Sequence, residues 1–377
     1  MSLHALLEQE RQVMAAVVVA FGVATGSHAV ATEWQESGRP LPEPRVPGPG
    51  LDPDLLPYRS CPVAAGEALT GTAPAILPDL VRRWIEAFKL RVPGVAVDVP
   101  PPYGSPQGAL NQRLDEFLRG SGDFALLTRA MSDADRATFT AARGHEPVVV
   151  PVAGGSFAHF GFVDPVVVVV NDSNPIGQLR TADLRRLLAA DEPRSRRPRT
   201  WGDLGVAEWP DRPVRIVGGA EWGGEASARG LVIRERLLQG SSLRSDLGPA
   251  SGTEADVPAR VAADPTAIGF TGLGHLVPGI RALPIENAAG KFVAPAFEEV
   301  ASARYPLART VDLVLATPPQ RPLLPAMAEF VKFVLSRDGQ ATVREQGVFL
   351  PLRAVQATAA ADTAGLQQGG CAAASGQ

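Results

Sequence analysis

Short apolar runs alternate with longer amphipathic segments along two stretches of this chain, and this alternation restricts its fold more than any other feature. In the first stretch, apolar residues recur at three- and four-residue spacing over 76–90, which predicts a helix, and a strand is predicted at 95–99. Further predicted elements are a helix at 109–118, a strand at 124–127, a helix opening at Ser132 and a strand at 148–152. This pattern predicts an α/β sheet.

A second stretch repeats the pattern from Phe160 onward. Its predicted elements are a strand from Phe160 to Val170, a helix from Thr181, a strand at 214–217, helices at 227–238 and 257–263, and a strand at 267–270. The chain then passes through a strand at 305–316 into helices at 323–335 and 338–346. Two α/β lobes with at least two crossings between them enclose a cleft, and such clefts commonly bind small ligands.

Composition excludes several classes of protein. The length of 377 residues suggests about two domains. The formal net charge is −4, whereas a nucleic-acid-binding protein requires a positively charged surface, so a nucleic-acid partner is not expected. Two cysteines are too few for a thiolate zinc site or an iron–sulfur cluster. The histidines after residue 31 are not clustered, so we expect neither a metal nor a cofactor; they are His145, His159 and His275.

The two cysteines leave an alternative open. Cys61 stands at the first predicted folded element, and Cys371 stands near the C-terminus. In an oxidising compartment they could pair and fasten the C-terminal segment. They could equally remain two free thiols.

The N-terminal region is typical of an exported protein. An apolar run at 14–24 is too short to span a membrane, and Ala29-Val30-Ala31 follows it at the spacing of a cleavage site. We therefore expect 1–31 to be a signal peptide and the mature protein to be periplasmic or secreted. Seven prolines in 32–57 predict an extended linker, and the small residues of 357–377 predict a disordered tail.

Several phrases of the sequence carry a family resemblance. The phrases Tyr305-Pro-Leu-Ala-Arg309, Glu329 to Ser336 (EFVKFVLS) and Gly347 to Leu352 (GVFLPL) resemble the closing block of phosphate ABC-transporter substrate-binding proteins. Upstream phrases resemble the same family's signatures in the same order: Asn174-Pro175 with Leu179, Thr200-Trp-Gly-Asp-Leu204, and Ala267-Ile-Gly-Phe270. The resemblance covers about residues 60–355.

The resemblance implies a type II periplasmic-binding-protein fold. Such a protein has two α/β lobes, joined by two hinge strands, which close over an oxyanion in the interlobe cleft. Lobe one would comprise 58–160 plus 305–356, lobe two would comprise 161–304, and the hinges would lie near 158–162 and 303–310. The implied function is to capture a small oxyanion, with inorganic phosphate first, and to deliver it as a monomer to an ABC transporter permease, without catalysis.

The same resemblance points to candidate ligand-binding residues in three loops. Thr70-Gly71-Thr72 stands where the family has its first hydroxyl-bearing anion loop, although it could equally be an ordinary helix-capping turn. Ser105 resembles the serine of the family's second anion loop, although it could instead be an ordinary serine in a turn. Thr128 and Arg129 follow a strand where the family carries a serine and a charged residue, and Arg129 could instead pair with Asp133.

The fourth loop departs from the family pattern. The family has an arginine followed by Ser-Gly-Thr at a helix start, whereas Ser227-Ala228-Arg229 occupies those three positions here and a glycine occupies the arginine position. Arg229 could restore the positive charge, or it could point to solvent. Glu221 and Glu225 would repel an anion. Ligand identity therefore stays open.

Two other functional classes remain as alternatives. One is a non-transport sensor or scaffold on the same fold with a degenerate site. The other is a hydrolase, although the sequence has no Gly-x-Ser-x-Gly, P-loop or Gly-x-Gly-x-x-Gly motif. The basic stretch 194–199 could be a partner surface or simply a solvated loop.

Overall fold

The structure, a computed structural model, describes residues 50–100, 113–218, 227–247 and 256–366. These residues form three sheets, one of them the two-stranded pair of Ile285–Glu286 with Phe292–Val293, and the two larger sheets organise the two lobes. Lobe one is built on a six-stranded sheet and lobe two on a four-stranded sheet. The two-lobed α/β architecture expected from the sequence is therefore present.

The strands are β1 Glu67–Thr72, β2 Val95–Asp98, β3 Phe124–Leu127, β4 Val148–Ser156, β5 Val166–Asn171, β6 Arg215–Val217, β7 Ala267–Gly272, β8 Ile280–Ala282, β9 Ile285–Glu286, β10 Phe292–Val293, β11 Thr310–Leu315 and β12 Phe349–Leu350. The helices are α1 Pro78–Arg91, α2 Asp133–Arg143, α3 Thr181–Leu188, α4 Ala228–Arg236, α5 Val257–Ala263, α6 Phe297–Ala301, α7 Pro325–Leu335, α8 Arg337–Gln346 and α9 Ala354–Thr363. Residues 113–118 are also helical, whereas the predicted start of that helix lies outside the described residues.

The sheet of lobe one has the order β12-β4-β11-β3-β1-β2. Strand β1 is parallel to β2 and β3, whereas β11 returns from lobe two and runs antiparallel to β3 and β4. Helices α1 and α7 cover one face, where the rings of Phe88 and Phe330 meet edge-on at 5.4 Å. The indole of Trp84 donates to the carbonyl of Gly339 at 3.0 Å, which satisfies its polar atom within the core.

The sheet of lobe two has the order β6-β7-β5-β8. The valines 166–170 of β5 are all fully buried, as expected for a continuous apolar strand covered on both faces. Trp201 is also fully buried, and its indole nitrogen donates to the carbonyl of Thr266 at 3.1 Å. Tyr305 and Leu307 belong to the same core although they lie on the way back to lobe one.

Two crossings connect the lobes and lie side by side. The amide of Gly155 donates to the carbonyl of Arg309 at 2.7 Å, and the amide of Val166 donates to the carbonyl of Leu307 at 3.1 Å. Val163 in the first crossing has φ 62° and Ala303 before the second has φ 54°. This conformation is strained for a β-branched residue, so the surrounding packing must hold Val163 in place.

Both crossing strands are shorter than the sequence predicts. The strand expected from Phe160 begins only at Val166, because 157–165 turn between the lobes and Gly161 adopts φ 83°. The strand expected from Tyr305 begins at Thr310, because Tyr305 and Leu307 anchor in the core of lobe two. The apolar periodicity of these segments reflects burial and not continuous sheet pairing.

The C-terminal segment expected to be disordered from residue 357 contains a packed helix instead. Helix α9 extends to Thr363, with Ala357 and Ala360 buried against lobe one. Small side chains let this helix approach closely without large apolar residues, which is why the sequence pattern missed it. The N-terminal boundary also lies earlier than Tyr58, since Leu55 is buried in the same core.

Candidate functional site

A small cavity of about 200 Å³ lies between the lobes. Lobe one, lobe two and both crossings all contribute to it. The lining residues are Ile76, Thr128, Gly161, Val163, Ser227, Ala228, Arg229 and Arg309. Two arginines and two hydroxyl-bearing residues therefore border one interlobe space.

Ser227 reaches the cavity from the start of α4. Its hydroxyl oxygen is the N-cap acceptor for the amide of Gly230 at 3.1 Å. The hydroxyl proton remains able to donate, since a serine hydroxyl is both donor and acceptor. The positive end of the helix dipole adds to this favourable environment for a negative charge.

Arg229 lies in the first turn of the same helix and is held from two sides. Its Nη2 donates to Oδ1 of Asp164 at 3.0 Å, and its guanidinium carbon lies 4.7 Å from the ring centroid of Phe160. The Arg229 side chain is 11% exposed and that of Asp164 is fully buried. The sequence left open whether Arg229 faces solvent, and the structure places it against the cavity.

Asp164 holds the guanidinium of Arg229 in position. Besides Arg229, its carboxylate accepts the amide of Gly161 at 3.2 Å and the amide of Gly274 at 3.1 Å. A Cβ at Gly272 would lie 2.0 Å from Oδ2 of Asp164, so only glycine fits there without displacing the carboxylate. The charge of Arg229 is thus compensated and its orientation fixed.

Arg309 is the second cation of the cavity and comes from the second crossing. Its Nη2 donates to the carbonyl of Thr128 at 2.9 Å and its Nη1 to the carbonyl of Asp164 at 3.4 Å. These bonds tie lobe one to the first crossing through one guanidinium. Sequence reasoning used Arg309 only as the end of a signature phrase and missed it as a site residue, although an arginine at a predicted hinge was the available signal.

Three predicted site residues meet here and others do not. Thr128, Ser227 and Arg229 all line the cavity. Arg129 is not among the lining residues. Its Nη1 donates to Asp135 at 2.5 Å and to the carbonyl of Ala130, because the capping box at the start of α2 places Asp135 beside it. The alternative partner suggested by the sequence was Asp133.

The first predicted loop is part of a strand. Thr70, Gly71 and Thr72 lie within β1, and Gly71 packs so closely on Phe124 that a Cβ there would lie 2.3 Å from its ring. Neither threonine lines the cavity, which Ile76 borders instead. Ser105, Glu221 and Glu225, like the later Ser-Gly-Thr at 251–253, lie outside the described residues.

Contacts between the lobes continue beside the cavity along α4. Arg234 of α4 forms an ion pair with Asp133 at the start of α2 in lobe one. Asp312 of β11 lies close enough to α4 that Arg236 and Glu235 affect its ionisation. An ion pair and nearby charges therefore link α4 to lobe one beside the cavity.

Burial raises the pKa of Asp312 to about 6. A hydrogen bond from Thr310 and the charges of Arg236 and Arg309 oppose this rise, whereas Glu235 adds to it. Because the folded pKa lies above the ordinary value, the ionised carboxylate disfavours the folded state, and stability falls as the pH rises from about 4 to about 6.

We expect Asp312→Asn to be more stable than the wild type by about 2 kcal/mol at pH 7.5, since two pKa units correspond to about 2.7 kcal/mol. Below pH 4 both side chains are neutral, so the difference should disappear. Urea unfolding at the two pH values measures this, with the exposed Asp211→Asn as the control. An equal difference at both pH values would assign the effect to packing and not to titration.

Two further findings concern metal binding and membrane-spanning helices among the described residues. Within those ranges, no three His, Cys, Asp or Glu side chains gather so that they could hold a metal ion. None of the described helices combines the length and the apolar character needed to cross a membrane.

Comparison with known proteins gives the class of the molecule. The family model for the PBP superfamily domain matches residues 63–338. The chain therefore belongs to the PBP superfamily of binding proteins, which confirms the resemblance read from its motifs.

Individual known proteins are similar to this chain over much of its length. The phosphate-binding protein PstS of Pseudomonas aeruginosa is 27% identical over 321 residues, which cover 84% of this chain and 92% of that protein. Protein SphX of Synechococcus elongatus is 30% identical over 201 residues, covering 52% and 56% of the two chains. A solved structure of a possible phosphate binding protein from Planctomyces limnophilus is 20% identical, covers 80% of this chain and 99% of its own, and has a TM-score of 0.45.

Proposed function

We propose that this chain captures inorganic phosphate, or a closely similar tetrahedral oxyanion, in the interlobe cavity and delivers it to an ABC transporter permease. The observation that carries the proposal is the convergence of Arg229, Arg309, Thr128 and Ser227 on one small space. Its volume of about 200 Å³ lies below that of typical drug-sized ligand sites, about 300–1,000 Å³. A small solute fits the cavity better than a cofactor.

The donor groups suit an oxyanion held between two lobes. A guanidinium presents several N–H groups in one plane and can bind two oxygens of an anion at once. Arg229 and Ser227 would bind the anion from lobe two, and Thr128 would bind it from lobe one. Because the ligand would contact both lobes, its binding would favour the closed arrangement.

The fourth loop lacks the family's arginine, and Arg309 supplies a cation in its place. The family's arginine position is a glycine here, so the second positive charge would come from the hinge and not from the loop. Asp164 offsets part of the charge by pairing with Arg229. The resulting site keeps a positive balance among its described side chains.

A relative's name supports the ligand of this proposal. PstS of Pseudomonas aeruginosa is named as a phosphate-binding protein, and most of its length is covered. We infer that the chain binds and releases its ligand unchanged, and that the predicted signal peptide 1–31 directs it out of the cytoplasm.

Calorimetric titration of the ligand-stripped mature protein tests the proposal. We expect saturable phosphate binding with a stoichiometry of one, and weaker binding of a small carboxylate. Sulfate and a phosphonate in the same series define which oxyanion the site prefers. If a folded preparation binds none of these anions, the proposal fails and a sensor or scaffold role takes its place.

A further inference from the structure

The aromatic ring of Phe160 stands apart from the apolar cores. Phe160 lies in the first crossing and is partly buried, yet it belongs to none of the three apolar clusters that the described residues form. Its ring lies instead against the guanidinium of Arg229 and the imidazole of His275. Packing of a hydrophobic core therefore does not account for this aromatic residue.

The ring of Phe160 complements the bond between Arg229 and Asp164. That bond, from Nη2 to Oδ1 at 3.0 Å, fixes one end of the guanidinium. A hydrogen bond at one nitrogen fixes a position but not the plane of a guanidinium, whereas the face of an aromatic ring restrains the plane. The guanidinium carbon lies 4.7 Å from the ring centroid, inside the limit of roughly 6 Å for a cation–π contact. The two contacts together define the orientation of the cation.

The imidazole of His275 supports the Phe160 ring from the other lobe-two segment beside it. The two ring centroids lie 4.4 Å apart, with 47° between the ring planes. His275 ends a 3₁₀ turn in which Gly274 donates its amide to Oδ2 of Asp164 at 3.1 Å. A Cβ at Gly274 would lie 2.4 Å from the amide nitrogen of Phe160, so this turn lies directly on the backbone of the first crossing. The same turn therefore positions both groups that hold Arg229.

We propose that Phe160 is a positioning residue of the anion site, braced by His275, and that its ring holds the Arg229 guanidinium in the orientation that receives an oxyanion. The inference rests on the proposed function and assigns a role to residues behind the site. Neither Phe160 nor His275 is among the described residues that line the interlobe cavity. Both act through Arg229, by reducing the conformational freedom that this side chain loses when an anion binds.

Calorimetric phosphate titration of variants of the full mature chain tests the role of the ring. Phe160→Leu removes the aromatic face and should weaken phosphate binding about tenfold, a loss within the range of a desolvated cation–π contact. Phe160→Tyr keeps the face and should bind within about twofold of wild type. His275→Ala should weaken binding about threefold, because the ring loses its brace.

Phe157→Leu is the matched control. Phe157 lies in the same crossing, but its ring meets that of Phe297 at 5.2 Å in the apolar cluster of lobe two. The variant should lower stability and change the phosphate dissociation constant by less than about twofold. The loss caused by Phe160→Leu should disappear in an Arg229→Ala background, because the ring then has no cation to hold. A loss that persists in that background would make the role of Phe160 purely structural and overturn the inference.

A readout without ligand separates this inference from the ligand assignment. In nitrogen-15 spectra of the ligand-stripped protein, the ring current of Phe160 should shift the Nε–H signal of Arg229 upfield; the signal is identified by its absence in Arg229→Ala. It should move downfield in Phe160→Leu and stay in place in Phe157→Leu. If wild type binds phosphate and Phe160→Leu leaves either the signal or the affinity unchanged, this inference alone is overturned. If wild type binds no anion, the proposed function fails and the positioning role fails with it.

Discussion

Arg309→Ala should weaken phosphate binding by about 100-fold, because truncating one partner of a buried, hydrogen-bonded charge pair costs about 2–5 kcal/mol. The loss has two sources. The anion would lose one of its two cations, and the bonds that tie the carbonyls of Thr128 and Asp164 across the hinge would be absent. Arg309→Lys keeps the charge but cannot form the same two-armed contact, so it should fall between wild type and alanine.

Arg129→Ala is the matched control for that measurement. Arg129 directly follows the cavity residue Thr128 in the sequence, but its guanidinium pairs with Asp135 and Arg129 does not line the cavity. Its removal should lower stability, since it leaves a carboxylate unpaired, and should change the phosphate dissociation constant by less than about threefold. If Arg129→Ala weakens binding as much as Arg309→Ala, the cation assignment made from the structure is wrong.

Gly155→Ala should lower the free energy of unfolding by about 3 kcal/mol. A Cβ at Gly155 would lie 2.0 Å from the carbonyl oxygen of Val163, so the first crossing would have to move. Backbone cannot yield as a flexible side chain can, and overpacking of this kind typically costs about 1–3 kcal/mol. Because Val163 also lines the cavity, phosphate binding should weaken in the same variant.

Gly177→Ala provides the comparison for Gly155→Ala. No atom lies within 4 Å of a Cβ built at Gly177, so its unfolding free energy should stay within about 0.5 kcal/mol of wild type. Urea unfolding and calorimetric titration of the two variants give both readouts. Equal stability of the two variants would show that the crossings are free to shift apart, contrary to the packing described for them.

The fold could be predicted from the sequence to a large extent because its signals are local. The buried valines of β5 and the amphipathic spacing of α1 are visible without any tertiary contact. The boundaries at the hinges were less predictable. Tyr305 is apolar enough to suggest a strand, but it is buried in the core of the other lobe, which only the three-dimensional arrangement determines.

Some residues of the candidate site could likewise be predicted from the sequence, and others could not. Ser227 could be found because the family resemblance places it at the first of the three Ser-Gly-Thr positions of the fourth loop. Arg129 could not be excluded from sequence, since its partner Asp135 is set by the local capping geometry of α2. Arg309 required the register of β11 against β3, which brings the hinge arginine to the carbonyl of Thr128.

The C-terminal helix shows the limit of apolar patterning. Helix α9 is mainly alanine, and its burial comes from close approach and not from large side chains. A composition that predicts disorder when the segment is alone therefore becomes a helix when lobe one provides a surface for it.

The central claim is that a tetrahedral oxyanion binds among Thr128, Ser227, Arg229 and Arg309. The most direct measurement is a crystal structure grown with arsenate, a phosphate isostere whose arsenic atom can be located by anomalous scattering. The account predicts one anomalous peak within hydrogen-bond reach of these four side chains. A peak elsewhere in the protein, or none at a concentration that saturates binding in solution, would contradict it.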